Sequence, residues 1–196
     1  FSAYLLLKPG RIPYINRNLY YFAGKDVWKT LFDLEAMRPG MVLLSAQAPD
    51  GDPAWCDVVT LMTPVATRPW KAWEGSAPGR RPEAYTALKA AMTQATVDFA
   101  CARLPELRDA IAHTYAATPL TYRHYTGAPH GAAYGLLKDW RSIMASHIPA
   151  RTKFDNLLLT GQNLTVHGAI GVTLSAAATC SEIVGTEYLA KKIANA

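Results

Sequence analysis

Short apolar runs separated by glycine and proline fill the first part of this chain, and they restrict its fold more than any other feature. Four such runs are rich in β-branched, aromatic or leucine side chains: residues 3–7, 19–23, 41–48 and 56–62. Turn-forming pairs such as Pro9-Gly10 and Pro39-Gly40 bound them. Short strands joined by tight turns favour antiparallel pairing. We therefore predict an antiparallel sheet, with a further strand at 110–117.

Two helices are predicted beside this sheet. Asp26 can cap a short helix between the second and third strands. Pro82 suits the first position of a longer helix, and Glu83 lies near its positive end. Apolar residues then recur every three or four positions, at Tyr85, Leu88, Met92, Ala95 and Phe99. This pattern predicts an amphipathic helix over 83–103, whose apolar face either packs on the sheet or lines a pocket.

The overall composition indicates a globular protein. Half of the 196 residues are hydrophobic and 18% are charged, without a long biased tract. No apolar run reaches the length of about 18 residues that a membrane-spanning helix needs. The net charge of +5 is scattered rather than gathered in a basic stripe, so we expect no nucleic-acid partner.

The three cysteines, Cys56, Cys101 and Cys180, are widely spaced and odd in number. Such spacing builds neither a disulfide framework nor a CxxC metal site. We predict buried, reduced thiols in a cytoplasmic protein. The histidines are not at zinc-ligand spacing either, so no metal site is expected.

Aromatic, histidine and glycine residues are concentrated after the last predicted strand, in the segment TYRHYTGAPHGAAYG. Pro119 biases Thr118 away from helical geometry, so the chain turns there. We predict a loop over 120–140 that approaches another group closely, since its glycines give the backbone the required freedom. His130 in this loop has either a packing role or a functional one.

The end of the chain reads as a strand, a glycine loop and a helix. Residues 156–160 form a short apolar run, predicted to be a buried strand, and two glycine-containing turns follow. One long helix is then expected, with Lys191 and Lys192 at its negative end. This arrangement aims backbone N–H groups at an anion or a polarised ring, or else its glycines serve tight packing alone. It is not the GxGxxG fingerprint of a dinucleotide-binding turn.

Two blocks of this sequence resemble one flavoprotein family. The string NLLLTGQNLTVHGAIGVTLSA is similar to the closing motif of the phytoene desaturase, carotenoid isomerase and retinol saturase group, and TPLTYRHYTGAPHGAAYG resembles the segment just before it. The order and separation of the blocks match the family over about residues 110–190. Gln162 and Asn163 depart from the pattern, because many relatives carry an acidic residue there.

The resemblance implies a flavin-dependent oxidoreductase that desaturates or saturates a carbon–carbon bond of an apolar polyene or lipid-like substrate. FAD carries the hydride in such enzymes, so the resemblance assigns no catalytic side chain. It implies these FAD contacts: Gly161, Gln162, Asn163, His167, Gly168, Ile170, Gly171 and Val172. The substrate contacts that it implies are Tyr125, His130 and Tyr134.

The predicted fold class is α+β. Residues 1–140 are expected to form an antiparallel sheet substrate domain with covering helices, and residues 141–196 the C-terminal strand-loop-helix of a Rossmann-like FAD-binding domain whose main part this sequence lacks. FAD is therefore expected in the full-length parent and not on this piece, which we expect to be inactive alone. The alternative is a stand-alone, non-catalytic α+β binding module.

Three further expectations concern partners. An apolar small molecule is the implied ligand, with peripheral membrane contact as a further interaction. The run at Leu157, Leu158 and Leu159 is apolar on both faces, which suits a strand between two layers. Without neighbouring strands, this run should be left exposed, and a second copy of the chain could cover it as a homo-oligomer.

Overall fold

A computed structural model describes residues 1–32, 34, 37–51 and 54–195. They divide into two compact units, Phe1–Gly131 and Ala132–Ala196. The division lies shortly before the predicted boundary at residue 140. The functions assigned to the two parts of the chain stay predictions.

An antiparallel sheet forms the centre of the first unit. Within the described residues it has five strands in the order β2-β3-β4-β1-β5. Their bounds are β1 Ser2–Leu7, β2 Leu19–Phe22, β3 Met41–Gln47, β4 Val58–Met62 and β5 Ile111–Ala117. Each strand lies in an apolar run that predicted it, so the antiparallel sheet and the α+β class are confirmed. The strand-loop-helix assigned to a Rossmann-like domain stays a prediction.

One face of the sheet carries the core. Alternate residues of a strand point to opposite faces, and the series Ala3, Leu5 and Leu7 of β1 is buried. The matching residues of β3 and β4 are buried beside it in one apolar cluster. Trp70 is fully buried in the same cluster, where its ring stacks on Phe1 at 6.2 Å between centroids.

The first unit contains the two predicted helices and, within the described residues, two further ones. They are α1 Val27–Phe32, α2 Glu83–Cys101, α3 Leu107–Ala110 and α4 Pro119–Thr126, with a 3₁₀ helix at Arg68–Trp73. The Asp26 carboxylate accepts the Lys29 N–H at 3.0 Å and so caps α1. Pro82 was predicted at the first helical position of α2, but it is the N-cap residue, and the helix begins at Glu83. Tyr85 and Met92 of α2 are buried against the sheet, which confirms the predicted packing face.

The loop predicted over 120–140 is wrong in its first part, because α4 occupies Pro119–Thr126. Thr118 is extended and stands at the N-cap, while Pro119 takes the first turn, where its missing N–H costs nothing. The Thr118 N–H donates to the Thr121 hydroxyl at 3.1 Å. Gly127 ends the helix with φ of 70°. The signals that favour a turn at Thr118 are the same signals that begin a helix.

The second unit contains α5 Ile143–Ser146, α6 Gly168–Val184 and α7 Thr186–Ala194, with a 3₁₀ turn at Trp140–Ser142. The single long helix predicted at the end of the chain is wrong, because Gly185 has φ of 87° and separates α6 from α7. Cys56 and Cys101 are buried as predicted, but Cys180 on α6 is exposed, contrary to prediction. Within the described residues, no helix is long and apolar enough to cross a membrane.

The strand predicted at 156–160 does not form. Its one ladder-type contact is an isolated bridge between Arg151 and Leu158. A strand needs neighbours on which to pair, and this segment is instead held by single bonds, such as the Leu159 N–H to the Ala150 carbonyl at 2.8 Å. The predicted exposure is observed, since Leu157 is 47% and Leu159 38% exposed.

We expect Thr118→Val to lower the free energy of unfolding of the first unit by about 1–2 kcal/mol. The Thr118 side chain is fully buried, and its hydroxyl lies 2.9 Å from that of Tyr85. Valine keeps the shape but loses this bond. Urea denaturation measures the change, with the exposed Thr86→Val on α2 as the control. Equal stability of the two variants would contradict the assigned role of Thr118.

Candidate functional site

The glycine loop of the second unit, residues 161–168, leads directly into the N-terminus of α6. Gly161 has φ of 105° and Gly168 has φ of 80°. Both values lie in the region that L side chains avoid, so glycine is required at both ends of the loop. Four of the eight predicted FAD contacts lie in this loop before Gly168: Gly161, Gln162, Asn163 and His167.

Gly171 allows the helix and the loop to approach closely. It is buried in the first turn of α6, and a Cβ placed there would collide with the Val166 carbonyl. Further along α6, the buried Ser175 hydroxyl lies 3.2 Å from that of Thr165. The Thr179 hydroxyl donates to the Leu159 carbonyl at 2.8 Å. The loop is therefore fixed against α6 by the close approach at Gly171 and by the contact between Thr165 and Ser175, and Thr179 holds the segment just before the loop.

The N-terminus of α6 is open. His167 stands at its N-cap in extended geometry and makes no capping hydrogen bond with its side chain. Ile170 is 79% and Val172 is 41% exposed on the first turn. An α-helix begins with unpaired N–H groups and a partial positive charge. This end therefore offers polar donors flanked by apolar side chains, which suits a ligand that is part ring and part anion.

Tyr134 is the predicted substrate contact that the structure brings to this loop. Its ring centroid lies 4.8 Å from that of His167, with a tilt of 41° between the planes. Tyr125 and His130 belong to the first unit, where both are exposed. Tyr125, at the end of α4, is 75% exposed and contacts the His124 ring edge-on. The roles of all three residues stay predictions.

Asn163 differs from the other predicted FAD contacts, because its side chain is already engaged. The Asn163 Oδ1 accepts the Leu136 N–H at 3.0 Å. The Lys138 ammonium approaches the backbone of the same residue, donating to the Asn163 carbonyl at 2.6 Å. The Asn163 side chain thus holds the chain in place within its own unit.

A cleft of about 350 Å³ lies beside this loop in the second unit. Lys138, Trp140, His147 and Thr165 contribute to its walls. The Arg141 guanidinium hydrogen-bonds Asp139 and holds the pKa of that carboxyl below its usual value. In the described part of the chain, no group of three or more His, Cys, Asp or Glu side chains is placed to hold a metal ion.

The second face of the sheet in the first unit is a feature that the sequence pattern did not predict. On this face, which we call the open face, Ser2 and Ala117 at one end are buried, and the other side chains are exposed or half-buried. These exposed and half-buried members are Tyr4, Leu6, Tyr20, Phe22, Met41, Leu43, Ser45, Gln47, Val58, Thr60, Met62, His113 and Tyr115. Among these described residues there is no Asp, Glu, Lys or Arg.

Register brings the large side chains of the open face into rows. Tyr4 of β1 lies opposite Tyr115 of β5 on one side and Thr60 of β4 on the other. Leu43 pairs with Met62 in the same way. Directly opposed residues lie on the same face, so these side chains are neighbours. One sequence feature could have predicted the open face. Both sets of alternating residues in β1 include large apolar or aromatic side chains, which is typical of a strand covered on both sides.

Comparison with known proteins gives one consistent set of relatives, although no family model matches the chain. The chain is 29% identical over 143 residues to the human all-trans-retinol 13,14-reductase. The alignment covers 68% of the chain and 23% of the human protein. The Macaca fascicularis protein of the same name is 30% identical over the same extent. A Danio rerio relative named "inactive all-trans-retinol 13,14-reductase" is 28% identical over 115 residues, which is 58% of the chain and 19% of that relative.

The chain thus spans about a quarter of the length of these curated relatives, 23% in the human and macaque proteins. The aligned extent, 68% of the chain, is too long to rest on the glycine loop and α6 alone. These matches agree with the resemblance drawn from the two sequence blocks. About two thirds of the chain is thus similar to a part of the all-trans-retinol 13,14-reductases.

Proposed function

We propose that this chain is part of a flavin-dependent oxidoreductase that adds or removes hydrogen across a carbon–carbon bond of an elongated apolar polyene of the retinoid class. The observation that carries the proposal is the open face, a charge-free sheet surface in the described part of a chain whose relatives are named for reducing retinol. The glycine loop and the N-terminus of α6 support the flavin part.

The open face has the chemistry that a polyene requires. Burial of apolar surface stabilises a complex by about 25 cal/mol for each Å² removed from water. A charged side chain on the same wall would lose its hydration without gaining a partner. Tyr20 and Tyr115 are 57% and 60% exposed and add aromatic area with hydroxyls that can reach solvent or a polar end group. A retinoid has such a shape, being apolar with one polar end.

A flavin fits the α6 N-terminus of the second unit. Gly161, Gln162, His167, Gly168, Ile170, Gly171 and Val172 are the residues that would hold it. The open helix end donates N–H groups, and the buried Gly171 lets the backbone come close. When bound, the flavin supplies the hydride transfer, while the protein orients the substrate and excludes water. We expect the chain alone to bind little FAD, because its sequence has no dinucleotide fingerprint.

A second candidate is a retinoid-binding protein without catalysis. The relative named as inactive favours it, since similarity at this level includes a protein that its name describes as having no reductase activity. Both candidates use the open face. They differ in the flavin, because a binding protein has no need of a redox cofactor. Changes in the redox state of a bound flavin on addition of a polyene therefore separate them.

We expect Leu6→Lys to weaken retinol binding by the gene product that carries this chain at least about tenfold, because retinol would have to desolvate the new ammonium group. Leu6 lies on the open face between Val58 of β4 and His113 of β5 and is 37% exposed. Val27→Lys on α1 is the matched control, since Val27 is 39% exposed and lies off this face. Retinol fluorescence titration measures both. Unchanged affinity in Leu6→Lys would contradict the substrate wall.

We expect Gly171→Ala to abolish stoichiometric flavin binding in the same gene product. The added Cβ collides with the Val166 carbonyl and must displace the loop or the first turn of α6. Gly75→Ala is the control, because a Cβ there meets no atom within 4 Å. Visible absorbance of the purified proteins reports the bound flavin. Full occupancy in Gly171→Ala would show that the loop and helix do not form the flavin contact.

Peripheral membrane contact is proposed for the second unit. Leu137, Trp140 and Met144 are each 83% exposed. The Lys153 ammonium lies 5.4 Å from the centre of the Phe154 ring in the same unit. Aromatic, aliphatic and basic side chains of this kind are enriched where proteins enter the interface of a bilayer. Such contact would place the protein where apolar polyenes partition.

We expect Trp140→Ser to reduce binding to vesicles of phosphatidylcholine and phosphatidylserine about tenfold, because the indole contributes most of the apolar area that would enter the interface. Trp28→Ser is the control, since Trp28 is 71% exposed on α1 of the first unit. Vesicle co-sedimentation measures both variants. A larger effect of Trp28→Ser would place the membrane contact elsewhere.

A further inference from the structure

Lys138 makes an unusual set of contacts in the second unit. Its ammonium donates to the Ser146 carbonyl at 2.6 Å, the Asn163 carbonyl at 2.6 Å and the Leu164 carbonyl at 3.0 Å. A lysine ammonium has three donors, so all of them are used. Within the described residues, no carboxylate forms an ion pair with it. All three N–H donors of Lys138 are therefore bonded to backbone carbonyls, and none is left for a ligand.

Two of these carbonyls belong to the glycine loop, which no sheet supports. The Leu164 carbonyl also accepts the Ile148 N–H at 3.1 Å, and the Leu164 side chain is buried. In a strand, such carbonyls would be paired by neighbouring N–H groups. Here one charged group bonds to both carbonyls, beside the single N–H of Ile148 at Leu164, and bonds from an ionised donor are about twice as strong as neutral ones. The ammonium thus replaces part of a hydrogen-bond ladder.

Asn163 and Gly135 form a second contact between the glycine loop and the segment that contains Lys138. The Asn163 Oδ1 accepts the Leu136 N–H at 3.0 Å. Gly135 has φ of 77°, and a Cβ on it would collide with this amide oxygen. Two side chains therefore join segment 135–138 to residues 163–164. Lys138 bonds to the carbonyls of 163 and 164, and Asn163 accepts the N–H of Leu136. The first joint needs a cationic donor at position 138, and the second needs a side-chain acceptor at 163 and glycine at 135.

We propose that Lys138 is a positioning residue that holds the glycine loop in the conformation presented to its ligand, with Asn163 as its partner. Asn163, which the family resemblance implies as a flavin contact, then holds the loop and does not bind the ligand through its side-chain oxygen. The loop runs from these two residues to His167 and the N-terminus of α6. The ligand part of this proposal rests on the proposed flavin function, and the structural part does not.

Amide hydrogen exchange of the gene product tests the structural part without any cofactor. We expect Lys138→Met to accelerate exchange in peptides covering residues 161–166 at least about tenfold, because three charge-assisted bonds are lost. Lys138→Arg should stay within about threefold of the wild type, since a guanidinium can bridge the same carbonyls. Lys153→Met is the control, because the Lys153 ammonium lies over the Phe154 ring and has no backbone partner in the described structure.

Three results would overturn the proposal. One is unchanged exchange at 161–166 in Lys138→Met, and another is an equal acceleration in Lys153→Met. The third is acceleration spread evenly over α6 and α7, which would mean a general loss of stability. If Lys138→Met does not fold, the variants Asn163→Ala and Lys138→Arg test the proposal instead. We expect Asn163→Ala to accelerate amide exchange in the loop alone. Lys138→Arg should change the exchange rate little.

The absorption spectrum of bound flavin tests the ligand part. Lys138→Met should shift the visible bands and weaken flavin binding about tenfold, and Lys138→Arg should restore both. A wild-type protein that binds no flavin, together with the expected exchange pattern, would reject the proposed function and keep Lys138 as the residue that holds the loop. Normal flavin spectra in Lys138→Met with accelerated exchange would reject the positioning role.

Discussion

Packing of α2 on one face of the sheet is the interaction on which the first unit depends. Met92 and Ala100 of the helix join Leu5 and the other inward residues of the strands in one buried cluster, and Trp70 closes it. This core lies entirely on one side of the sheet. The other side keeps apolar and aromatic residues at exposed positions, which costs solubility and has to be explained by what it contacts. An apolar ligand is the occupant that we propose.

The second unit is held together differently. Its glycine loop has no strand ladder, and side chains bond the backbone instead: Lys138 and Asn163 at the loop, and Thr179 at Leu159 just before it. Such a frame leaves the N-terminus of α6 open at His167. Exposed Ile170 and Leu174 show that α6 has further apolar surface to cover. The unit therefore combines a fixed loop with an unfilled surface, as expected of a piece of a ligand site.

The sequence predicted the elements with a strong local pattern, even where their partners are far apart in the chain, as for β1 and β5. Strands β1 to β5 could be found because their apolar runs are short and bounded by turns, and α2 because its stripe follows a helical period. The run 156–160 has the same strand character but no neighbour to pair with, so pattern alone was not enough. Helix α4 was missed because Thr118-Pro119 signals both a turn and a helix start. Of the site residues, Tyr134 and His167 were brought together, whereas the open face required the register of the strands.

Anaerobic titration of the reduced gene product with a polyene tests the central claim most directly. The protein would be purified, its flavin reduced by light, and all-trans-retinol or a related polyene added while the visible spectrum is followed. The proposed function predicts that the flavin changes redox state in proportion to the added polyene, by reoxidation in a reductase or by reduction of the oxidised form in a desaturase. A protein that binds retinol but contains no flavin, or whose flavin is unchanged by polyenes in either redox state, would contradict it.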